Sequence, residues 1–332
     1  MQIEESIRRC VVFLYAGAAD ERRPVGTGFF VAQAVSGRSR DYRYLVTPKH
    51  IVEGVHLAGQ RLYARVNVRG PLDLLLLDKA ERESDRLMGA GETPDIKRLF
   101  EDLRANPQAP LVTEAEAAVR REPSLADASQ FVDLGEADKW IYHEDFKVDM
   151  AALDWQPPAL ADVFPLKLSW AVTPEFIAKE RIGLGEDVFV VGLFRRHTGQ
   201  LRNIPIIRVG NLVAMPEEPV QTATGLQEAY LVELHSIGGL SGSPVFVYLG
   251  GVRRHFPFGG ELTLTQYAGA IHLLGLVHGH WNVGVKEELD AAHDALDKDE
   301  HINMGIAIVV PIARLLEILD YPEVRDVREK AQ

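Results

Sequence analysis

The chain is poor in cysteine and in long apolar stretches. Its 332 residues include a single cysteine, Cys10, so no disulfide can form within one chain. A lack of disulfides favours a reducing compartment. The apolar run near the N-terminus, from Cys10 to Tyr15, is shorter than the roughly 7–15 residues of a signal-peptide core. No apolar run approaches the roughly 20 residues that cross a membrane. These features predict a soluble, cytoplasmic protein.

Basic residues are in deficit as well. The chain has 36 Lys and Arg against 48 Asp and Glu, for a formal net charge of −12. Binding to nucleic acids or anionic membranes needs clustered Lys and Arg that neutralise phosphates. The Arg pairs at 8–9, 22–23, 195–196 and 253–254 are scattered, which is typical of solvated loops and strand ends. We therefore expect neither a nucleic-acid partner nor a membrane partner.

What the chain does contain is a series of short β-rich segments separated by turn residues. Gly26–Val31 and Tyr42–Thr47 are two of them in the first fifty residues, and similar segments return after about residue 165. Between them, about residues 76–135 carry apolar residues at helical spacing, which predicts a helical insertion. A last amphipathic helix is predicted at about residues 311–320. The pattern indicates a β-rich chain with a helical insertion in its N-terminal half.

Three segments carry residues suited to nucleophilic chemistry. The first is Leu45–Val52, interpreted as a strand ending at His50; the second is Val148–Leu153, with Asp149; the third is Gly238–Val245, with Ser241 among glycines. A serine hydroxyl is a poor nucleophile at neutral pH and needs an adjacent base. Histidine, aspartate and serine follow one another in one of the known orders of a catalytic triad.

With these segments in view, the chain resembles the trypsin/chymotrypsin-like serine peptidases, in particular the HtrA/DegP type without its PDZ domains. Gly26–Phe29 resembles the glycine-rich strand before the histidine, and Gly305–Ile308 resembles the closing strand before a C-terminal helix. The resemblance implies an all-β fold of two six-stranded antiparallel barrels. The first barrel would span residues 1–160 with the helical insertion, and the second would span residues 161–332 with the C-terminal helix.

The resemblance also implies roles for the site residues. His50 would take the proton from Ser241 and return it to the leaving amine, and Asp149 would hold the imidazole in the right tautomer. The backbone N–H groups of Gly239 and Ser241 would form the oxyanion hole. The implied function is a serine endopeptidase that acts on a peptide or protein through an acyl-enzyme intermediate. Such an enzyme needs no cofactor and no metal.

Two assignments have rivals nearby in the sequence. Ser243 competes with Ser241 as the nucleophile, and the family motif favours Ser241. Asp145 and Asp154 compete with Asp149, which alone stands in a D-x-A-x-L setting.

Substrate preference and regulation are less constrained by the sequence. His235, His278 and His280 are predicted to line the substrate pocket, where they would accept an acidic or polar side chain. The same histidines could hold zinc, but without a nearby Cys or Glu partner we expect a structural role instead. The alternative function is a catalytically silent or latent trypsin-fold module that binds a peptide or partner protein. The insertion is a candidate regulatory element, and a regulatory partner or a homo-oligomer is left open.

Overall fold

A computed structural model describes residues 3–18, 21–35, 41–69, 129–158, 161–222, 225–234, 239–255, 263–284 and 301–330. The strands are β1 (Val11–Ala16), β2 (Arg23–Gln33), β3 (Tyr42–Thr47), β4 (Leu62–Asn67), β5 (Ser129–Asp133), β6 (Trp140–Tyr142), β7 (Ala151–Asp154), β8 (Leu166–Lys167), β9 (Asp187–Gly192), β10 (Ile206–Ala214), β11 (Val220–Thr222), β12 (Gly225–Gln227), β13 (Tyr230–Glu233), β14 (Pro244–His255), β15 (Thr263–Gly284) and β16 (His301–Pro311). The α-helices are α1 (Lys49–Leu57), α2 (Pro174–Glu180), α3 (Ala313–Leu319) and α4 (Pro322–Lys330). Short 3₁₀ helices occupy Glu5–Cys10, Ala137–Lys139 and Leu168–Trp170.

The N-terminal half forms an eight-stranded sheet. Its strand order is β5-β4-β1-β2-β3-β7-β6, and β8 pairs in parallel with β2. Every residue of β1 is buried, because apolar clusters lie against both of its faces. A strand covered on both sides reads as a continuous apolar run, as Val11–Ala16 does.

The C-terminal half closes into a six-stranded barrel with the order β10-β13-β16-β15-β14-β9. The prediction of a mostly β fold with a closed six-stranded barrel is confirmed. Of the two barrels predicted, the structure shows the C-terminal one as a closed barrel. Among the described residues, the N-terminal sheet runs from β5 to β6 without a pairing that joins these two strands.

The largest apolar cluster joins residues of the two halves. It contains Tyr44 and Met150 from the N-terminal half, Phe246 and Val310 from the barrel, and Leu315 from α3. A second cluster fills the N-terminal half, and a third fills the barrel. The loop that carries Asp149 is anchored at this junction, because Met150 next to it is fully buried.

The C-terminal helix is present as α3, whose Leu315, Ile318 and Leu319 are buried at the spacing of one helical face. A further helix, α4, follows and was not predicted. Its buried Arg328 donates to the Leu319 carbonyl at 3.0 Å, which fixes α4 to the end of α3.

Most of the helical insertion predicted at about residues 76–135 lies outside the described residues, which resume at Ser129. Its last part, Ser129–Asp133, is a strand that pairs with β4, so the prediction of a helical insertion reaching residue 135 is wrong at this end. A five-residue segment with one strand neighbour is too short to show a clear period in the sequence. No helix in the described part of the chain is long and apolar enough to cross a membrane.

Candidate active site

His50 lies in the first turn of a helix. The interpretation of its segment as a strand ending at the histidine is wrong: β3 ends at Thr47, and α1 begins at Lys49. Pro48, in extended conformation, separates the strand from the helix and cannot continue the strand's hydrogen-bond ladder as a donor. The His50 backbone N–H donates to Asp149 Oδ1 at 2.9 Å, so the carboxylate caps an otherwise unpaired donor of the helix start.

Asp149 lies in the turn between β6 and β7, and its carboxylate is almost completely buried. Its Oδ2 lies 2.6 Å from His50 Nδ1. The two rival aspartates are engaged elsewhere. Asp145 is exposed and accepts from a backbone N–H two residues on, while Asp154 accepts from the Tyr42 hydroxyl. Of the three aspartates, the structure brings Asp149 to the histidine.

A second imidazole shares the same carboxylate oxygen. His278 Nδ1 is hydrogen-bonded with Asp149 Oδ2, and the His278 ring meets the His50 ring edge to face with centroids 5.2 Å apart. His278 is only 7% exposed. His278 was predicted to line the substrate pocket, and its Nδ1 contacts the buried aspartate.

No sequence signal pointed to this contact. His278 lies on β15, 129 positions from Asp149, and nothing in the Gly-Leu-Val-His-Gly-His segment encodes which residue it faces. The contact follows from the register of β15 against β14 and from the packing of the barrel on the N-terminal sheet.

The electrostatics of the cluster favour a charged aspartate. Burial by itself would raise the pKa of Asp149, because the charged form is desolvated. The hydrogen bonds from His278 and His50, together with the charges of the two rings, outweigh that effect and hold the pKa of Asp149 far below its ordinary value of 3.8. Asp149 is therefore an anion at any pH at which the protein would work.

Ser241 stands in a tight turn that is tied to β2 by hydrogen bonds. Thr27 N–H donates to the Ser241 carbonyl at 2.9 Å, and Thr27 Oγ1 donates to the Gly239 carbonyl at 3.2 Å. Gly242 has a φ of +85°, and a Cβ there would lie 1.9 Å from the Thr27 carbonyl oxygen and 2.8 Å from Pro48 Cδ. Only glycine fits this close approach. The serine turn therefore packs directly against the segment that leads into His50.

The turn exposes one serine and hides the other. Ser241 is partly exposed, whereas Ser243 is fully buried and its Oγ has no hydrogen-bond partner. The burial makes Ser243 unsuitable as a nucleophile. In the part of the chain that the structure describes, no hydrogen bond joins the Ser241 hydroxyl to the His50 ring. The structure thus brings His50 and Asp149 into contact and places Ser241 in the adjacent turn.

The predicted oxyanion hole has donors that remain available. Among the described residues, neither the Gly239 N–H nor the Ser241 N–H donates to another group, while the next two N–H groups, of Gly242 and Ser243, donate to Val277 and Leu240 carbonyls. Gly239 has a φ of +111°, a conformation that favours glycine.

The remaining pocket residues are only partly described. His235 lies outside the described residues. His280 lies on β15 two positions beyond His278, and burial lowers its pKa. The substrate pocket formed by His235, His278 and His280 stays a prediction.

Comparison with known proteins gives only distant matches. No protein-family model matches the sequence, and no curated protein sequence matches it. Among solved structures, the chain is similar to the apo form of the MamO protease domain from Magnetospirillum magneticum, at 11% sequence identity and a TM-score of 0.46. The match covers 96% of this chain and 100% of that chain. A likeness at this distance says nothing of the chemistry of the present chain.

Proposed function

We propose that the protein is a serine endopeptidase in which His50, Asp149 and Ser241 act as the catalytic triad of a trypsin-like fold. The observation that carries the proposal is the contact of His50 Nδ1 with the buried Asp149 carboxylate, at 2.6 Å, next to the turn that presents Ser241. The resemblance of the three sequence segments to those peptidases supports the same assignment.

The geometry suits a base that works through its outer nitrogen. Because His50 Nδ1 donates to Asp149, a neutral ring carries its lone pair on Nε2, where it can accept the Ser241 proton. The Ser241 oxygen would attack the substrate carbonyl, and the developing oxyanion would be stabilised by the free N–H groups of Gly239 and Ser241. His50 would then give the proton to the leaving amine, and water would hydrolyse the acyl-enzyme.

One step of this mechanism requires a reorientation. Ser241 Oγ makes no hydrogen bond with His50, so its side chain or the imidazole must turn before proton transfer. Catalytic hydrogen bonds are often long or poorly aligned without substrate and tighten in the complex. The peptidase proposal therefore includes a substrate-induced alignment of Ser241 with His50 Nε2.

The same missing hydrogen bond favours a second candidate, a trypsin-fold module that is catalytically silent or latent and binds a peptide or protein. The sharing of Asp149 by two imidazoles points in the same direction, because a triad uses only one. The two candidates differ in whether Ser241 reacts.

Labelling with a fluorophosphonate probe separates them. We expect the wild type and Ser241→Ala to differ, with labelling of the wild type alone. Ser243→Ala is the matched control, because it removes the neighbouring buried hydroxyl and leaves Ser241 in place. A folded wild-type protein that is not labelled, or a labelled Ser241→Ala, would contradict the proposed nucleophile and leave the binding module.

A further inference from the structure

Three ligand atoms of types that metals prefer converge at the candidate active site. His50 Nδ1, Asp149 Oδ2 and His278 Nδ1 all lie within 4.8 Å of one another. Two imidazole nitrogens and one carboxylate oxygen are a recurrent ligand set for Zn²⁺ and related ions, which leaves further coordination positions open. The peptidase mechanism uses one imidazole on the aspartate, so His278 is a ligand that this mechanism does not need.

We propose that His50, Asp149 and His278 bind one divalent transition-metal ion such as Zn²⁺, and that the metal-bound state has no peptidase activity. The binding site stands on the geometry alone. The loss of activity rests on the proposed function.

The present spacing of the ligands needs a small opening to admit the ion. Metal–ligand bonds of about 2.0–2.1 Å place neighbouring ligand atoms of a tetrahedral ion roughly 3.3 Å apart. His50 Nδ1 now lies 2.6 Å from Asp149 Oδ2, so these atoms must separate by less than about 1 Å. The side chain of His50 is 35% exposed, against 4% for Asp149 and 7% for His278. The His278 Nδ1–Asp149 Oδ2 pair is also hydrogen-bonded and must open by a similar amount. His50, the most exposed of the three side chains, has the most freedom to make room for the ion.

The surrounding contacts hold the carboxylate in place for such an ion. The His50 backbone N–H donates to Asp149 Oδ1, the oxygen that is not used as the ligand, at 2.9 Å. Hydrogen bonds of this kind orient a ligating carboxylate and raise metal affinity. His278, buried on β15, supplies a second ligand with little freedom to leave.

The tautomer of His50 explains why metal and catalysis exclude one another. When Nδ1 binds the ion, the proton of the neutral ring must lie on Nε2. No proton leaves the imidazole, but Nε2 becomes a donor and can no longer accept the Ser241 proton. The ion also takes Asp149 away from its role as the acceptor for His50 Nδ1.

The experiment uses the full chain, freed of metal with a chelator and then titrated with Zn²⁺ by calorimetry and with Co²⁺ by visible absorption. The wild type and Ser241→Ala should each bind one ion and show the d–d absorption of tetrahedral Co²⁺. His278→Asn keeps an amide donor for Asp149 but replaces the imidazole, and it should bind at least about tenfold more weakly. His197→Ala, which removes an exposed histidine, is the matched control and should bind like the wild type. Circular dichroism checks that each variant is folded.

The two proposals fail in different ways. Equal affinity of His278→Asn and wild type, or no tetrahedral Co²⁺ spectrum, overturns the metal site whatever the activity. If the wild type binds one ion but does not react with the fluorophosphonate even after chelation, the site stands and the peptidase proposal falls. If Ser241 is labelled in chelator and labelling is unchanged by saturating Zn²⁺, the exclusion of catalysis by metal is overturned.

Discussion

Replacement of Thr27 by valine tests how the serine turn is held. Thr27 is completely buried, and its Oγ1 accepts from the Leu193 N–H at 3.0 Å and donates to the Gly239 carbonyl at 3.2 Å. Valine has nearly the same shape as threonine, but its side chain can neither donate nor accept a hydrogen bond. Thr27→Val therefore leaves one backbone donor and one backbone acceptor unpaired at the base of the Ser241 turn.

The expected loss of stability follows from these two groups. A buried polar group that loses its partner costs about 1–3 kcal/mol. With partial relaxation of the backbone around Gly239, the sum for both groups falls to about 2–4 kcal/mol. The valine methyl that replaces the hydroxyl would also lie closer to the Leu193 N–H and the Gly239 carbonyl than carbon normally does. This crowding adds to the loss of stability.

Thr47→Val is the matched control. Thr47 is equally buried, but its hydroxyl makes a single hydrogen bond, to the Thr27 carbonyl at 3.0 Å. We expect its loss to cost about 1 kcal/mol, the typical value for one hydrogen bond. Urea unfolding of the two variants and the wild type, with unchanged m-values, gives the difference in unfolding free energy. The reasoning is refuted if Thr27→Val is no more destabilised than Thr47→Val.

Three further predictions concern the same region. Gly242→Ala should lower the unfolding free energy by about 3 kcal/mol or more, because its Cβ would meet the Thr27 carbonyl oxygen at 1.9 Å. The control is Gly54→Ala on α1, where a Cβ would meet nothing within 4 Å. In thermal unfolding this variant should be neutral or stabilised by up to about 1 kcal/mol. Ser243→Ala should leave chemical stability unchanged or raise it by up to about 1 kcal/mol, since the buried hydroxyl has no partner; a large loss would disprove that it is unpaired. Asp149→Asn should be destabilised at neutral pH, and the gap to the wild type should narrow as pH falls below about 3.8. The folded-state pKa of Asp149 is depressed, so its contribution is present above the unfolded-state value and is lost in acid; a gap independent of pH in urea titrations would contradict this.

The strands of the fold could be predicted where their residues are buried on both sides. Val11–Ala16 is a continuous apolar run, as is Val188–Val191 within Asp187–Gly192, and both segments are strands. The start of α1 could not be predicted in this way. Pro48 holds the N-cap position of α1 and offers no side-chain acceptor. The side chain that accepts from the His50 N–H belongs to Asp149, far along the chain. A helix start stabilised by a remote side chain leaves no local signal.

In the candidate site, too, some residues could be predicted from the local sequence and one contact could not. The glycines and apolar residues around three site residues, His50, Asp149 and Ser241, were enough to single them out in the sequence. The structure brings the first two into contact. His278 was assigned to a pocket wall by the resemblance, because it lies on a strand that follows Ser241. Its contact with Asp149 depends on the register between β14 and β15, which shifts at a bulge between Val245 and Phe246 just after the serine turn. A one-residue slip in a strand moves a side chain to the opposite face, so sequence spacing alone cannot settle such a contact.

The position of His278 decides what Asp149 can do for His50. A carboxylate stabilises an imidazolium most when its charge and lone pairs are directed to that ring alone. Here Asp149 Oδ2 accepts from two imidazoles, while Oδ1 accepts from the His50 backbone. Part of the electrostatic stabilisation from Asp149 therefore goes to His278, which takes no proton from Ser241 in the proposed mechanism. The same sharing that weakens support for a charged His50 creates two nitrogen ligands around one buried anion. On the two proposals, catalysis and metal binding compete for this carboxylate, and the side chain at position 278 is expected to set the balance between them.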